Sequence, residues 1–329
     1  MKHKKSVAFG IAVLFVSAVL LSICIGAVRL RLPELWAALK NGPNDTTGFI
    51  FWYSRLPRTA ACLLAGAALA VSGAVIQSVL HNKLASPGII GVNAGAGFAV
   101  TVCCACGVIS GWTIAGSAFL GAMGAMLLVV FIGQRTGASR TTVILAGVAV
   151  NAILNAFTEA VTTVIPEAAM MSVDFRVGGF GAVSYGRLIP AAVLILLPLS
   201  VLFCLANDLD VLTLGDDTAK SLGMNVKRMR TAFLMLAALL AGAAVSFAGL
   251  LGFVGLIVPH ALRKFVGSDS RWVLPMCALA GAGFVALCDT VARFLFAPYE
   301  LSVGILMSVL GGPAFLMLLL KQKGGRSHA

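Results

Sequence analysis

The sequence predicts an all-α, polytopic membrane protein of about ten transmembrane helices, and three observations lead there. Of its 329 residues, 60% are hydrophobic and only 11% are charged, with a mean hydropathy of +1.00. A soluble domain carries roughly 25% charged residues, so this chain lacks the polar surface to face water on all sides. The charges are also clustered: no Asp, Glu, Lys or Arg lies between Lys83 and Arg135, room for two crossings of about 20 residues each. Finally, the basic residues sit in short loops between apolar segments, as the positive-inside rule describes.

The apolar segments run at 6–28, 59–80, 88–109, 111–133, 141–165, 188–206, 231–250, 251–262, 272–290 and 301–320. The first follows Met1-Lys2-His3-Lys4-Lys5 and is longer than the roughly 7–15 residues of a signal-peptide core, with no A-x-A-like site after it, so a retained helix is expected. The stretch 88–133 reads as a hairpin turning near Gly111 and Trp112. Thr231 to Leu262 holds 32 residues without a charge, too many for one ordinary crossing. Lys227, Arg228 and Arg230 precede it and Arg263 and Lys264 follow it. Both flanks therefore belong on the cytoplasmic side, which demands an even number of crossings. Gly249, Gly252 and Gly255 are expected to supply the turn, and Pro259 limits the second arm to a short or broken helix. Ten crossings place both termini inside, with 16 of the 24 Lys and Arg cytoplasmic and eight outside. Leu63 to Ala68, followed by Gly73, recurs as Leu239 to Ala244, followed by Gly249. The two copies would run in opposite directions, the pattern of an internal inverted repeat.

Several function classes drop out. The net charge of +12 belongs to the loops and does not point to nucleic acid. All eight cysteines lie in apolar stretches; Cys103-Cys104-Ala105-Cys106 contains a C-x-x-C with no second pair or nearby His, so small packing residues are the better reading. No G-x-x-x-x-G-K-[ST], H-E-x-x-H or G-x-S-x-G occurs, and His3, His81, His260 and His328 are scattered. Neither catalysis, a metal site nor a cofactor is expected, and ATP hydrolysis would have to reside on another chain.

Three groups of residues carry functional expectations. Asn151, Asn155 and Glu159 recur every four residues on the fifth apolar helix, with Thr162 close to the same line. Polar groups on one face of a membrane helix line an aqueous pathway or hydrogen-bond to a neighbouring helix. The segment between the first two apolar helices carries Arg29, Arg31, Lys40, Arg55 and Arg58 against only Glu34 and Asp45, and Arg293 closes the ninth helix on the same side. Such a basic rim can dock an acidic protein, attract an anionic solute or contact lipid headgroups. The longest cytoplasmic polar stretch, Asn207 to Arg230, contains a short capped helix from Gly215 to Gly223. Asp216 and Asp217 stand in its first turn, Lys220 in its last and Gly223 at C′. It is either a handle for a soluble motor or a solvated loop helix.

The chain resembles the FecCD-type permeases, the membrane subunits of ABC importers for iron–siderophore complexes, haem and cobalamin. The resemblance covers most of the chain and lies in Ser54-Arg55-Leu56-Pro57-Arg58, Gly66 to Ala70 with Ser72, Gly73 and Gln77, and Asn82 to Gly91. It continues in Leu214-Gly215-Asp216 with Ala219, Leu222 and Gly223, in Gly252 to His260, in Leu279 to Ala282, in Asp289 with Arg293, and in Glu300 to Gly304. It implies a ten-helix subunit of a bacterial cytoplasmic membrane, paired around a central pathway with a second copy or a close paralogue. It also implies two ATP-binding cassette subunits and an extracytoplasmic solute-binding protein as partners. By the same resemblance Arg55, Arg58 and Arg293 dock the binding protein, and Leu214, Gly215, Asp216, Asp217, Ala219, Leu222 and Gly223 couple to the ATPase. Asn82, Lys83, Leu84, Ala85, Ser86 and Pro87 form one cytoplasmic gate, and the Thr136–Arg140 loop, with Thr136 and Ser139, forms the other. Two positions depart from the family: Lys83 replaces a proline in the first gate, and Arg176-Val177-Gly178-Gly179-Phe180 lacks the usual Trp. Cobalamin or haem are alternative cargoes. An ion-coupled secondary transporter would need a titratable group near mid-membrane, for which Glu159 and Asp289 are the candidates.

Overall fold

A computed structural model describes residues 2–26, 30–135, 140–295 and 299–324, so the gate residues Thr136 and Ser139 and the rim residue Arg29 lie outside the described residues. The described chain is helical throughout. α1 (Lys2–Cys24) is followed by two short helices, α2 (Leu32–Asn41) and α3 (Thr46–Ile50), and the latter runs through a π-turn into α4 (Leu56–Val79). Next come α5 (Val92–Ala105), α6 (Gly111–Arg135), α7 (Arg140–Val164), the short α8 (Pro166–Val177) and α9 (Tyr185–Cys204). Two short helices, α10 (Ala206–Thr213) and α11 (Asp216–Ser221), precede α12 (Val226–Ala248), α13 (Val254–Val266), α14 (Ser270–Leu295) and α15 (Val303–Gly324).

Each predicted apolar segment coincides with one helix: α1, α4, α5, α6, α7, α9, α12, α13, α14 or α15. Seven of these are long and apolar enough to cross a membrane, whereas Val92–Ala105, α13 with 13 residues and the apolar part of α15 are shorter. The overlong stretch from Thr231 is indeed two arms. α12 ends at Gly249, whose φ of +70° suits glycine, and α13 begins after Phe253, which holds φ +65° without being glycine. Gly255, expected in the turn, lies inside α13 and faces α4 instead.

α4 is the centre of the molecule. It packs against α12, α13 and α14, and 18 of its 24 residues are buried. Its small side chains permit this: a Cβ on Gly66 would collide with the Gly281 carbonyl of α14, and one on Gly73 with the Gly255 carbonyl of α13. Helix association in lipid lacks a hydrophobic drive and relies on close approach of this kind. The repeated motif reappears in three dimensions. Gly66 of the first copy seats α14, while Gly242 of the second faces Phe119 and Ala122 of α6. Each copy thus holds the second helix after the other, as an inverted repeat would arrange them.

Close approach leaves polar backbone groups to satisfy. Pro259 in α13 has no N–H for the Gly255 carbonyl four residues back. The buried Gln77 of α4 donates from Nε2 to that carbonyl at 3.2 Å and to the Leu256 carbonyl at 3.4 Å. Ser72 of α4 likewise donates to the Ala237 carbonyl of α12 at 2.6 Å. At the far end of α12 three segments are tied through backbone bonds: Gly179 N–H to Ala248 O, Leu250 N–H to Phe175 O, and Gly304 N–H to Gly178 O. Gly178 (φ +77°) and Gly249 (φ +70°) make this crossing possible, which is how the run Arg176 to Phe180 is used.

Replacing Gln77 by Leu strands the buried Gly255 carbonyl that Pro259 leaves without a helical donor, a cost of about 1–3 kcal/mol. Gly73→Ala forces two backbones apart at a cost of about 1–3 kcal/mol or more. Both variants are expected to lower the thermal midpoint of the detergent-solubilised protein, with Gly73→Ala the more damaging; an unchanged midpoint in either would contradict this packing.

Candidate functional site

Three sites emerge at different heights of the bundle. At the N-terminal end of α4, Asp289 of α14 is the hub of an ion-pair cluster. Arg58 donates to its carboxylate from Nε (3.1 Å) and Nη2 (3.0 Å), and Arg293 pairs with it at 3.0 Å. Arg58 also donates from Nη1 to Glu300 at 2.7 Å. Arg293, 2% exposed, reaches the Ser22 carbonyl of α1 at 3.1 Å, and the buried Arg55 donates to the Ile25 carbonyl at 3.1 Å. The three rim arginines therefore do converge, but two of them are drawn inside. The cause is electrostatic: a carboxylate that is 1% exposed needs cations beside it. Arg58 and Glu300 alone in this cluster border the open groove beside α8 and α9. Sequence reading found the cations and overlooked Asp289 and Glu300 as their counter-ions, although both lay in motifs already noted.

Halfway along, a cavity of about 770 Å³ is walled by α5, α7, the Gly249–Phe253 turn, α13 and α15. Asn151, Asn155 and Glu159 all line it, as four-residue spacing on α7 predicts, while Thr162 is not among the lining residues. Asn93 and Arg176 extend the polar wall, and Leu250, Phe253, Leu256 and Phe315 form an apolar one. Asn151 has a second duty. Its Nδ2 donates to the Gly88 (3.0 Å) and Ile89 (2.8 Å) carbonyls, tying α7 to the backbone just after Pro87. The segment Asn82 to Pro87, where the sequence leads one to expect a gate, borders the cavity through Ser86. It is stiffened without the family's proline: Asn82 Oδ1 accepts from Leu84 N–H at 2.9 Å, closing an Asx turn, while Lys83 points to solvent and Ala85 is buried.

At the opposite end of α4 from Arg58, the stretch Asn207 to Arg230 forms α10 and α11. The expected caps are present: Gly215 has φ +112° and Gly223 φ +83°. Ala219 is fully buried, whereas Leu214 and Leu222 are 61% and 63% exposed and Asp217 and Lys220 form a loose surface pair at 3.4 Å. Asp216 turns the other way and accepts from Arg230 Nη2 of α12 at 2.7 and 2.8 Å. Asp210 accepts from the Ser270 N–H at the start of α14, at 3.1 Å from each oxygen, and Asn207 accepts from Arg271. Among the described residues no grouping of three or more His, Cys, Asp or Glu could hold a metal ion.

The comparisons agree with one another. The FecCD transport family matches residues 14–321. The hemin transport system permease protein HmuU of Yersinia pestis is 37% identical over 323 residues, covering 96% of this chain and 95% of that protein. The iron(3+)-hydroxamate import system permease protein FhuB of Bacillus subtilis is 36% identical and covers 93% of this chain and 80% of its own length. A solved structure described as a metal-chelate type ABC transporter in an inward-facing conformation superposes with a TM-score of 0.86 at 29% identity, covering 96% of this chain and 99% of that one. Family model, curated relatives and solved structure thus match over nearly the whole length, and the chain belongs to the FecCD transport family.

Proposed function

We propose that this chain is the transmembrane subunit of an ABC importer that carries an iron–siderophore or related metal chelate inward across a bacterial cytoplasmic membrane. On this reading residues 1–329 are one permease domain with ten crossings and both termini cytoplasmic, and two such subunits enclose the pathway. The observation that carries it is the cavity: amide and charged side chains on one wall and Phe253 with Phe315 on the other suit a bulky amphiphilic chelate. Relatives named for hemin, iron(3+)-hydroxamate and vitamin B12 transport point to cargoes that share a metal held in an organic cage. No step here is chemical; ATP binding by two separate cassette subunits would move α10 and α11, and the two cytoplasmic gate regions, Asn82–Pro87 and the Thr136–Arg140 loop, would open in response. Weak binding in the cavity is what a pathway requires, since a tight site would retain its cargo.

Asp289 speaks against an ion-coupled carrier, because its carboxylate is already taken up by ion pairs to Arg58 and Arg293 at 3.0 Å each. Docking of an acidic solute-binding protein is assigned to the Arg58 end, with Arg58 as the contact and Arg55 and Arg293 supplying positive potential from behind it.

Proteoliposomes holding the permease with its ATPase subunits and binding protein are expected to take up a ferric hydroxamate in an ATP-dependent way, with hemin and cyanocobalamin as the competing cargoes. Uptake that continues without the ATPase would sink the importer reading, and preference for hemin or cyanocobalamin would reassign the cargo. Arg58→Glu should slow association of the binding protein by about tenfold or more, with a weaker dependence on salt, while the protein still inserts. Surface plasmon resonance on the solubilised complex checks this; an unchanged association rate would remove the docking assignment.

A further inference from the structure

The segment that faces the ATPase on the reading above is clasped to the bundle at two points, on two different helices. Asp210 and Asn207 of α10 hold the first residues of α14, and Asp216 of α11 holds Arg230 of α12. The two faces of the segment divide accordingly. Leu214, Asp217, Lys220 and Leu222 point away from the bundle and are open to a partner, whereas Asp216 and the buried Ala219 face it. Arg230 is 7% exposed and gives one guanidinium nitrogen to both oxygens of Asp216. Charge-assisted bonds of this length are strong and directional, so the two helices cannot move independently without breaking them. From Arg230, α12 runs on to Ala248, about 27 Å at the usual helical rise, and ends at the Gly249–Phe253 turn that lines the cavity.

We infer that the Asp216–Arg230 pair is the link that carries movement of the ATPase-facing helix into α12, and through it to the wall of the pathway. Arg230 is on this view a positioning residue: it touches neither cargo nor nucleotide. α12 is suited to the task because it is gripped along its length. Gln134 of α6 donates to Thr231 one residue beyond Arg230 at 2.9 Å, Ser72 of α4 bonds it near its middle, and Gly179 bonds its last turn. Without the pair, α11 could follow the ATPase while α12 stayed behind. Nucleotide hydrolysis would then proceed with the pathway unmoved.

The inference rests on the importer reading and is tested in the assembled transporter, in proteoliposomes. A cysteine-free background carries Asn155→Cys in the cavity as a reporter, labelled by a membrane-impermeant maleimide with and without trapped nucleotide. Arg230→Met is expected to keep ATP hydrolysis within about twofold of its parent while the nucleotide-dependent change in labelling falls about tenfold. The exchange Asp216→Arg with Arg230→Asp is expected to restore most of that change, an effect that loss of packing alone would not show. If Arg230→Met fails to insert, Arg230→Lys, which keeps the charge with a poorer fit, is read by the same criteria. Labelling that still responds fully in Arg230→Met, hydrolysis that falls in step with it, or an exchange that restores nothing would each overturn the link. A parent whose labelling ignores nucleotide altogether would overturn the importer reading instead.

Discussion

Everything in this structure depends on how closely α4 can approach α13 and α14. Lipid offers helices no hydrophobic reason to associate, so contact must come from dispersion and from polar groups with nowhere else to go. At Gly66 and Gly73 the backbones touch with no side chain between them, and Gln77 and Ser72 then reach carbonyls on the helices opposite. Small residues bring the helices together, and that proximity lets two short polar side chains satisfy what a proline and a tight crossing leave open. Neither device works without the other.

The same logic explains the ion-pair cluster. Asp289 is buried one helical turn from Arg293 and across from Arg58, where a lone carboxylate would be very costly. Removing any one charge leaves the others uncompensated, so the cluster is both a brace joining α1, α4 and α14 and a store of positive potential. Arg58 belongs to both functions, because its remaining N–H bond goes to the half-exposed Glu300.

Much of this was legible in the residues. Hydropathy and the positions of Lys and Arg located every long helix, since period and charge are local properties; the even-crossing argument divided Thr231 to Leu262 correctly because both flanks are basic. Four-residue spacing brought Asn151, Asn155 and Glu159 to one cavity. What escaped was long-range pairing. Asp216 with Arg230, Asp210 with Ser270 and Asp289 with Arg58 join residues whose sequence neighbourhoods say nothing of one another. Exposure escaped for the same reason: Arg55 and Arg293 look like surface cations until a buried carboxylate is found next to them. The left-handed Phe253 escaped too, since the nearby glycines were the natural choice for a turn.

The knot of glycines where α8, the end of α12 and the start of α15 cross has a consequence for the shape of the vestibule. Three backbone bonds, among Phe175, Gly178, Gly179, Ala248, Leu250 and Gly304, join these termini into one node. Tilting α12 cannot merely bend its own tip; it must drag the short helix and α15 along. On the importer reading, widening at that mouth would carry these three termini together, because parting them costs backbone bonds with no other partner at hand.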